Sequence, residues 1–383
     1  MIFRQAPLIL HGMHPHEENS NWLEISRGAI TNNVQQLEDI THAKVMAVVK
    51  ANGYGHGIGE TAKIAANAGV SYCGVARIDE AIELRRKGVD SPIMVLGYTH
   101  SKRFLDAIGS NITLTIFQQE QVDALLSAAA NAGKIANVHV KVDTGMSRLG
   151  APPDLAYSLV QRLGQDPGVF VEGIFTHFAC ADEPEKPVTA HQERQFLDLM
   201  AEIEAAGLRP PLVHAANSAA ALTRPTSRLD MVRIGIALYG LNPSKQVSLP
   251  SGFQTSLTWR ARLSAVFNLP PGRGISYGHD YITKGHETIG VVPVGYGDGF
   301  RRAVENYVLV HGQRIPVLGR VCMDQIMVRL DGISNPQVGD EVVLIGTQGD
   351  STIRAGDLAE NWGTVNYEVT CGLSARVPRI YVD

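Results

Sequence analysis

The strongest constraint on the fold is an alternation. Short apolar runs of strand length recur at 44–49, 72–75, 92–96, 112–116, 137–142, 170–175, 212–215 and 231–236. Between most of them lie Ala- and Leu-rich stretches with helical spacing, at 60–68, 79–87, 118–132, 154–164 and 190–206. Gly69, Gly88, Gly133 and Gly207 end such stretches, as expected where a helix stops on a left-handed residue. Strand and helix alternating eight times over about 220 residues predicts an α/β fold of the (β/α)8 barrel type. A doubly wound open sheet is the rival. The lack of a G-x-G-x-x-G turn after the first run weakens it.

The texture changes after about residue 243. Helical periodicity nearly vanishes, and strand runs separated by Gly, Pro and Asp take over at 257–267, 288–294, 307–310, 315–318, 326–330 and 341–345. A chain of 383 residues exceeds one comfortable core. The expected organisation is therefore a barrel over 22–243 and a C-terminal, mainly β domain over 244–383. Trp22 to Ile25 reads as a strand that pairs with the β domain, and Ser26 as the N-cap of a helix through Ile30, Val34 and Leu37. Residues 1–21 are expected to be a poorly ordered extension, with His11, His14 and His16 solvated and no metal site formed.

A net charge of −4 gives no reason to expect nucleic acid or an anionic membrane as partner. No apolar run is long enough to cross a membrane. Cys73, Cys180, Cys322 and Cys371 form no C-x-x-C pair, so they read as free thiols of a reducing cytoplasm.

Functional groups of a barrel lie at the C-terminal ends of its strands. Lys50 ends the run 44–49 and precedes a Gly-rich turn holding Tyr54 and His56, with a helix expected from near Glu60. Such a lysine is either an ordinary solvated strand-end residue or, with its stem desolvated, a nucleophile suited to Schiff-base chemistry. Lys141, Asp143 and Arg148 follow the fifth run, His177 the sixth, Asn217 and Ser218 the seventh, and Arg233 to Ile236 belong to the eighth. Asn217-Ser218 and Gly235-Ile236, with Tyr54, suit a phosphate, which takes backbone N–H groups and hydroxyls. A Schiff-base lysine beside a phosphate site suggests pyridoxal 5′-phosphate. Arg233, on an apolar strand, needs a partner: a carboxylate, or the cofactor ring.

VVKANGYGHG (48–57), KVDTGMSRLG (141–150), THF (176–178), HAANSAA (214–220), VRIGIALYG (232–240), SYGHDY (276–281), PVGYGDGFRR (293–302), GRVCMDQ (319–325) and NYEVTCGLSARVPR (366–379) together resemble the alanine racemase family. The likeness runs from about residue 22 to the end of the sequence. It implies a racemase that interconverts L- and D-alanine with two bases and supplies D-alanine for peptidoglycan. Lys50 would carry the cofactor and act on one face of the substrate Cα. Tyr277 would act on the other face, from the neighbouring subunit of a homodimer. Its ordinary pKa of about 10 would have to be lowered by nearby cations. His177 and Arg233 are the candidates, in a relay that ends at the pyridine nitrogen. Arg233 there would weaken the cofactor as an electron sink and suppress side reactions, since an arginine does not readily give up its proton.

The same resemblance makes Tyr54, Ser218, Gly235, Ile236 and Tyr367 phosphate ligands. Arg148 would bind the substrate carboxylate or the cofactor's phenolic oxygen, helped by the backbone of Met323. Lys141 matches a lysine carbamylated in many relatives; a plain pair with Asp143 is the alternative. Asp182, His214, Tyr296, Arg302 and Arg320 match residues of the access channel, although Tyr296 and His214 fit satisfied half-buried groups equally well. Gly53 and Ser147 stand where the family more often has Ala and Gly, which affects loop detail only. Competing functions are a racemase of broader specificity, acting on serine or larger amino acids, and an amino-acid decarboxylase. Tyr296 and Tyr367, which would narrow the pocket, oppose larger side chains, while serine stays open because one hydroxyl is poorly excluded by size alone. The second is opposed by Cys322 and Cys371, neither of which lies in a G-P-x-C-[DE]-like context. A carrier of the cofactor would need only the barrel.

Overall fold

The computed structural model describes residues 18–383, so the expected extension falls, up to residue 17, outside the described residues. The chain divides into two compact units, one comprising Ser26–Ser256 and the other joining the segment up to Ile25 to Leu257–Val382.

The first unit is a barrel. Its parallel strands are Lys44–Val48, Tyr72–Val75, Ile93–Val95, Ile112–Ile116, Ala136–Lys141, Val169–Phe175, Leu212–His214 and Met231–Ile234. In the ladder each strand pairs with its sequence neighbour from the first to the seventh, and the eighth returns to the first, with Met46 opposite Arg233. Asp230 N–H donates to Val213 O at 3.1 Å and Arg233 N–H to Ala216 O at 3.0 Å, joining the seventh and eighth strands. Met46, Tyr72, Met94, Phe175, Leu212 and Met231 form one buried cluster from these strands. Each such side chain contributes about 1.5–3 kcal/mol relative to full exposure.

The helices obey their local signals. Ser26 caps Arg27–Thr41 by accepting from Ala29 N–H at 3.0 Å, and the buried face carries Ile30, Val34 and Leu37. Pro153 opens Pro153–Gly164, where a missing N–H costs nothing. The stretch after residue 243, although helix-poor, lies on the barrel: Asn33 Nδ2 donates to Gln254 O at 2.8 Å, and Ser244 Oγ to Asp182 O at 2.7 Å.

The second unit is a ten-stranded sheet. Its path runs Ala265–Leu269, Glu287–Val292, Ile326–Arg329, Gln313–Leu318, Tyr307–Val310, Glu341–Gln348, Leu257–Arg262, Asn21–Ser26, Arg379–Val382, with Ser351–Ile353 on the flank of Glu341–Gln348. Leu23 lies opposite Trp259 in an antiparallel pair. The single run expected at 257–267 is two strands, Leu257–Arg262 and Ala265–Leu269. Between them Leu263 N–H turns to Asp340 O and Ser264 N–H to Val291 O, which sends the chain to a different neighbour. Two short helices, Ala355–Asn361 and Asn366–Cys371, and the short pair Gly274–Ile275 with Tyr281–Ile282 were not anticipated from the sequence.

Candidate active site

Lys50 begins a segment with unusual backbone. Ala51, Asn52, Gly53 and Tyr54 all have φ between 52° and 63°. Each non-glycine residue there costs roughly 1 kcal/mol, so the turn persists only because surrounding groups clamp it. Ala51 N–H donates to Glu80 Oε1 at 2.7 Å, and Asn52 Oδ1 accepts from Ile58 N–H at 3.0 Å. His56 Nδ1 lies 3.1 Å from the carbonyls of Gly53 and Tyr54, and its ring stacks on Tyr239 at 4.3 Å. The following helix begins at Ile58, two residues before the expected start.

The turn delivers the Tyr54 ring to the loop after the eighth strand. A Cβ on Gly235 would lie 2.4 Å from the Tyr54 hydroxyl oxygen, so only glycine leaves that space open. Gly235 N–H donates to Ser218 Oγ at 3.0 Å. Tyr54, Ser218, Gly235 and Ile236 therefore converge at one end of the barrel mouth, and all four are buried.

Arg233 anchors the centre. Its guanidinium is buried; Nη1 donates to His214 Nδ1 at 3.0 Å and to His214 O at 3.1 Å. Nη2 donates to Thr176 O at 2.7 Å, Ala215 O at 2.8 Å and His177 Nδ1 at 3.3 Å. Every one of these acceptors is uncharged. Among the described residues Nε has no acceptor. Burial pulls the guanidinium down to about 9, which leaves it charged near neutrality.

Arginine can only donate, so His177 Nδ1 must accept and its proton sits on Nε2. Burial, then the charges of Arg233, Lys141, Arg148 and Lys50, hold His177 well below the ordinary histidine value. His177 is thus a neutral donor. The expectation that it serves as a cation is corrected: Arg233 carries the charge. His214 also departs from expectation. It is fully buried beneath Arg233, stacked on Phe175 at 4.8 Å, and so does not line an access channel.

Lys141 ends the fifth strand, buried over the Phe175 ring at 5.2 Å. Burial lowers its pKa to about 7, the charges of Arg233, Arg148 and Lys50 push the same way, and Asp143 opposes only in part. The alternative pair with Asp143 does not form. Asp143 Oδ1 accepts instead from Gly145 N–H at 2.9 Å and Ser147 N–H at 3.1 Å. Arg148 is exposed at the mouth, and Asp182 is half-buried with its carbonyl held by Ser244.

The remaining predicted residues belong to the β unit and gather there in a surface patch. Tyr277 is 68% exposed, Met323 53% and Tyr296 46%. Ser276, at φ 63°, donates to Arg320 O at 2.5 Å and turns the chain so that Tyr277 projects. Arg320 forms a two-pronged pair with Asp280, at 2.7 and 3.1 Å. Met323 O accepts from Gly297 N–H at 2.9 Å, tying the Tyr296 loop to the 320–324 loop. Arg376 braces that loop from Asp298 Oδ1 at 2.7 Å and Asp324 at 2.9 Å. Arg302 is exposed, and Tyr367 is half-buried on Asn366–Cys371.

Sequence reasoning missed three residues beneath Arg233: His139, Glu172 and Gly173. For His139 the signal was present, since an ionisable residue inside an apolar strand run must find a partner.

A barrel that gathers a lysine, a phosphate-shaped cradle and a donor-only guanidinium at its strand ends, next in sequence to a mainly antiparallel sheet, defines a two-unit barrel enzyme. Residues 25–243 match the family model "Alanine racemase, N-terminal domain" and 256–381 match "Alanine racemase, C-terminal domain". The alanine racemase of Desulfovibrio desulfuricans is 42% identical over 94% of this chain and 98% of its own. That of Geobacillus stearothermophilus is 42% identical over 94% and 93%. The solved alanine racemase of Bacillus anthracis with bound L-Ala-P superposes with a TM-score of 0.90 at 38% identity, covering 95% of each chain. The chain belongs to the alanine racemase family.

Proposed function

We propose that the chain racemises alanine with pyridoxal 5′-phosphate and supplies D-alanine for peptidoglycan in the cytoplasm. The observation that carries this reading is Arg233. Its Nη atoms are saturated by neutral acceptors, while Nε is left for an acceptor that the described residues do not provide. The residues fit the cofactor. Tyr54, Ser218, Gly235 and Ile236, with Tyr367, would hold the phosphate, and Arg233 Nε would donate to the ring nitrogen. When bound, the group withdraws the electron pair left at Cα as a proton departs.

The chain's own residues supply the rest. Lys50 Nζ takes or returns the Cα proton on one face. The phenol oxygen of Tyr277 does so on the opposite face, which makes the reaction reversible between mirror images. Tyr277 acts across a homodimer, and its exposure in a single chain suits that role. Nε2–H of His177 donates to the phenol oxygen and stabilises its anion. Arg148 holds the substrate carboxylate, helped by the Met323 backbone, and Tyr296 and Tyr367 narrow the pocket toward a methyl side chain. A carbamate on Lys141 would set an anion beside Arg148. The pKa of about 7 favours it, because the neutral amine is the form that adds carbon dioxide. Asp182, Arg302 and Arg320 line the approach.

The test is racemisation in deuterated water with added cofactor and L-alanine, read by NMR and a chiral assay together. Deuterium at Cα with D-alanine appearing is expected. Carboxylate loss from L-lysine or L-ornithine with L-alanine inert would contradict the reading.

A further inference from the structure

We propose that Glu172 is a positioning residue for Arg233, acting through His139 and His214. The inference rests on the reading of Arg233 as a cofactor-holding group.

The hydrogen bonds beneath Arg233 have only one consistent direction. Arg233 Nη1 can only donate to His214 Nδ1, so the His214 proton lies on Nε2. His214 Nε2 is 2.8 Å from His139 Nδ1, which must then accept, placing the His139 proton on its own Nε2. That atom is 3.2 Å from Glu172 Oε2. The carboxylate also accepts from Tyr72 Oη at 2.5 Å and Thr113 Oγ1 at 3.0 Å. Three donors converge on Glu172, and the chain of bonds runs from a buried cation to a half-buried anion through two neutral rings. Burial alone would raise the Glu172 carboxyl, but the bonds from His139 and Tyr72 hold it below the usual range. Burial likewise keeps His139 and His214 uncharged.

The backbone is shaped for this carboxylate. Val138 pairs with Val171 and His139 with Gly173, so Glu172 is an extra residue in a parallel ladder, where bulges are rare. The bulge breaks the two-residue alternation and turns Glu172 inward. A Cβ on Gly173 would lie 2.5 Å from two atoms of the His139 ring, so glycine makes the room the imidazole occupies. Thus the bulge aims the anion and the glycine seats the first ring.

The consequence falls on Arg233. Were His214 to carry its proton on Nδ1, an N–H would face Nη1 and push the guanidinium from its seat. Glu172 excludes that tautomer by fixing His139, which fixes His214. It is also the distant counter-charge to a guanidinium otherwise surrounded by neutral acceptors. Arg233 Nε is thereby held in one direction.

The test uses full-length protein with 15N-labelled histidine, assigned through His139→Asn and His214→Asn. In the cofactor-free wild type both rings are expected as Nε2–H tautomers, unchanged from about pH 6 to 9. Glu172→Gln should move the His214 resonances toward a tautomer mixture. In cofactor-loaded protein the same change should lower kcat for L-alanine about 10- to 100-fold, the size found when an outer partner of a functional group is lost, with KM little altered. A proton on Nδ1 of either ring in the wild type overturns the proposal, as does a Glu172→Gln protein with the His214 signals or kcat unchanged. Tyr72→Phe, which keeps the carboxylate, provides a second variant expected to retain both tautomers. If the loaded protein racemises nothing, the proposed function fails, while the tautomer measurement still judges the relay.

Discussion

The barrel mouth and the β-unit patch present functional side chains in opposite ways. Arg233, His214, Ser218 and Tyr54 are buried, and hydrogen bonds hold the Arg233 Nη atoms, the His214 ring and the Ser218 hydroxyl. Tyr277, Met323 and Tyr296 stand exposed on loops that are themselves firmly braced. The barrel orients its groups by enclosing them. The patch fixes the backbone and leaves the side chains for something to cover. Such a division suits a site completed by assembly: one part preorganised in each chain, the other finished only against a second surface.

Substitutions sharpen the contrast. Lys50→Ala should abolish racemisation, by about 10^4-fold or more, as loss of a covalent and proton-transferring group does. Tyr277→Phe should be similarly severe, although an exposed residue ordinarily tolerates change within about 0.5 kcal/mol of stability. A Tyr277→Phe chain with near wild-type turnover, measured by chiral assay, would break the comparison.

Gly235→Ala probes the enclosed side. The new methyl must displace the Tyr54 hydroxyl, and overpacking of about 1–3 kcal/mol predicts roughly ten- to hundred-fold weaker cofactor binding. Titration with pyridoxal phosphate by absorbance would show it, and unchanged affinity would argue that the cradle is not the phosphate site.

Lys141 gives a pH signature. Its folded pKa of about 7 lies below the ordinary lysine value, so the unfolded chain holds the extra proton between pH 7 and about 10.5. Stability of the cofactor-free protein should therefore rise with pH through that window, the penalty being full below pH 7. Lys141→Met should flatten the slope and add about 1–3 kcal/mol at pH 6, read from denaturant midpoints. An unchanged slope would mean that another group dominates.

The smallest effect belongs to the left-handed turn. Ala51→Gly, at φ 52°, should stabilise the protein by about 0.5–1 kcal/mol in denaturant melts, because only steric strain is removed. Destabilisation would show that the methyl packs usefully.

The barrel was legible because eight apolar runs and their helix-ending glycines report local physics directly. Lys50, Ser218 and Arg233 were legible because position at a strand end is a sequence property. Glu172 was not, since a two-residue period that turns Phe175 and Gly173 inward sends residue 172 outward, and only the bulge reverses it. The turn after Lys50 was hidden for a similar reason. Alanine has no preference for positive φ, and the clamp from Glu80 is 29 residues away in sequence. His214 was misplaced because a histidine beside a strand end reads as a mouth residue until its burial is known.

The most direct measurement is complementation between chains. Lys50→Ala and Tyr277→Phe chains, each inactive alone, are tagged differently, co-expressed and purified as the mixed species. If Tyr277 serves the neighbouring barrel, each hybrid dimer holds one intact site and recovers about half the wild-type rate of L- to D-alanine conversion. Hybrids no more active than either parent would contradict the account.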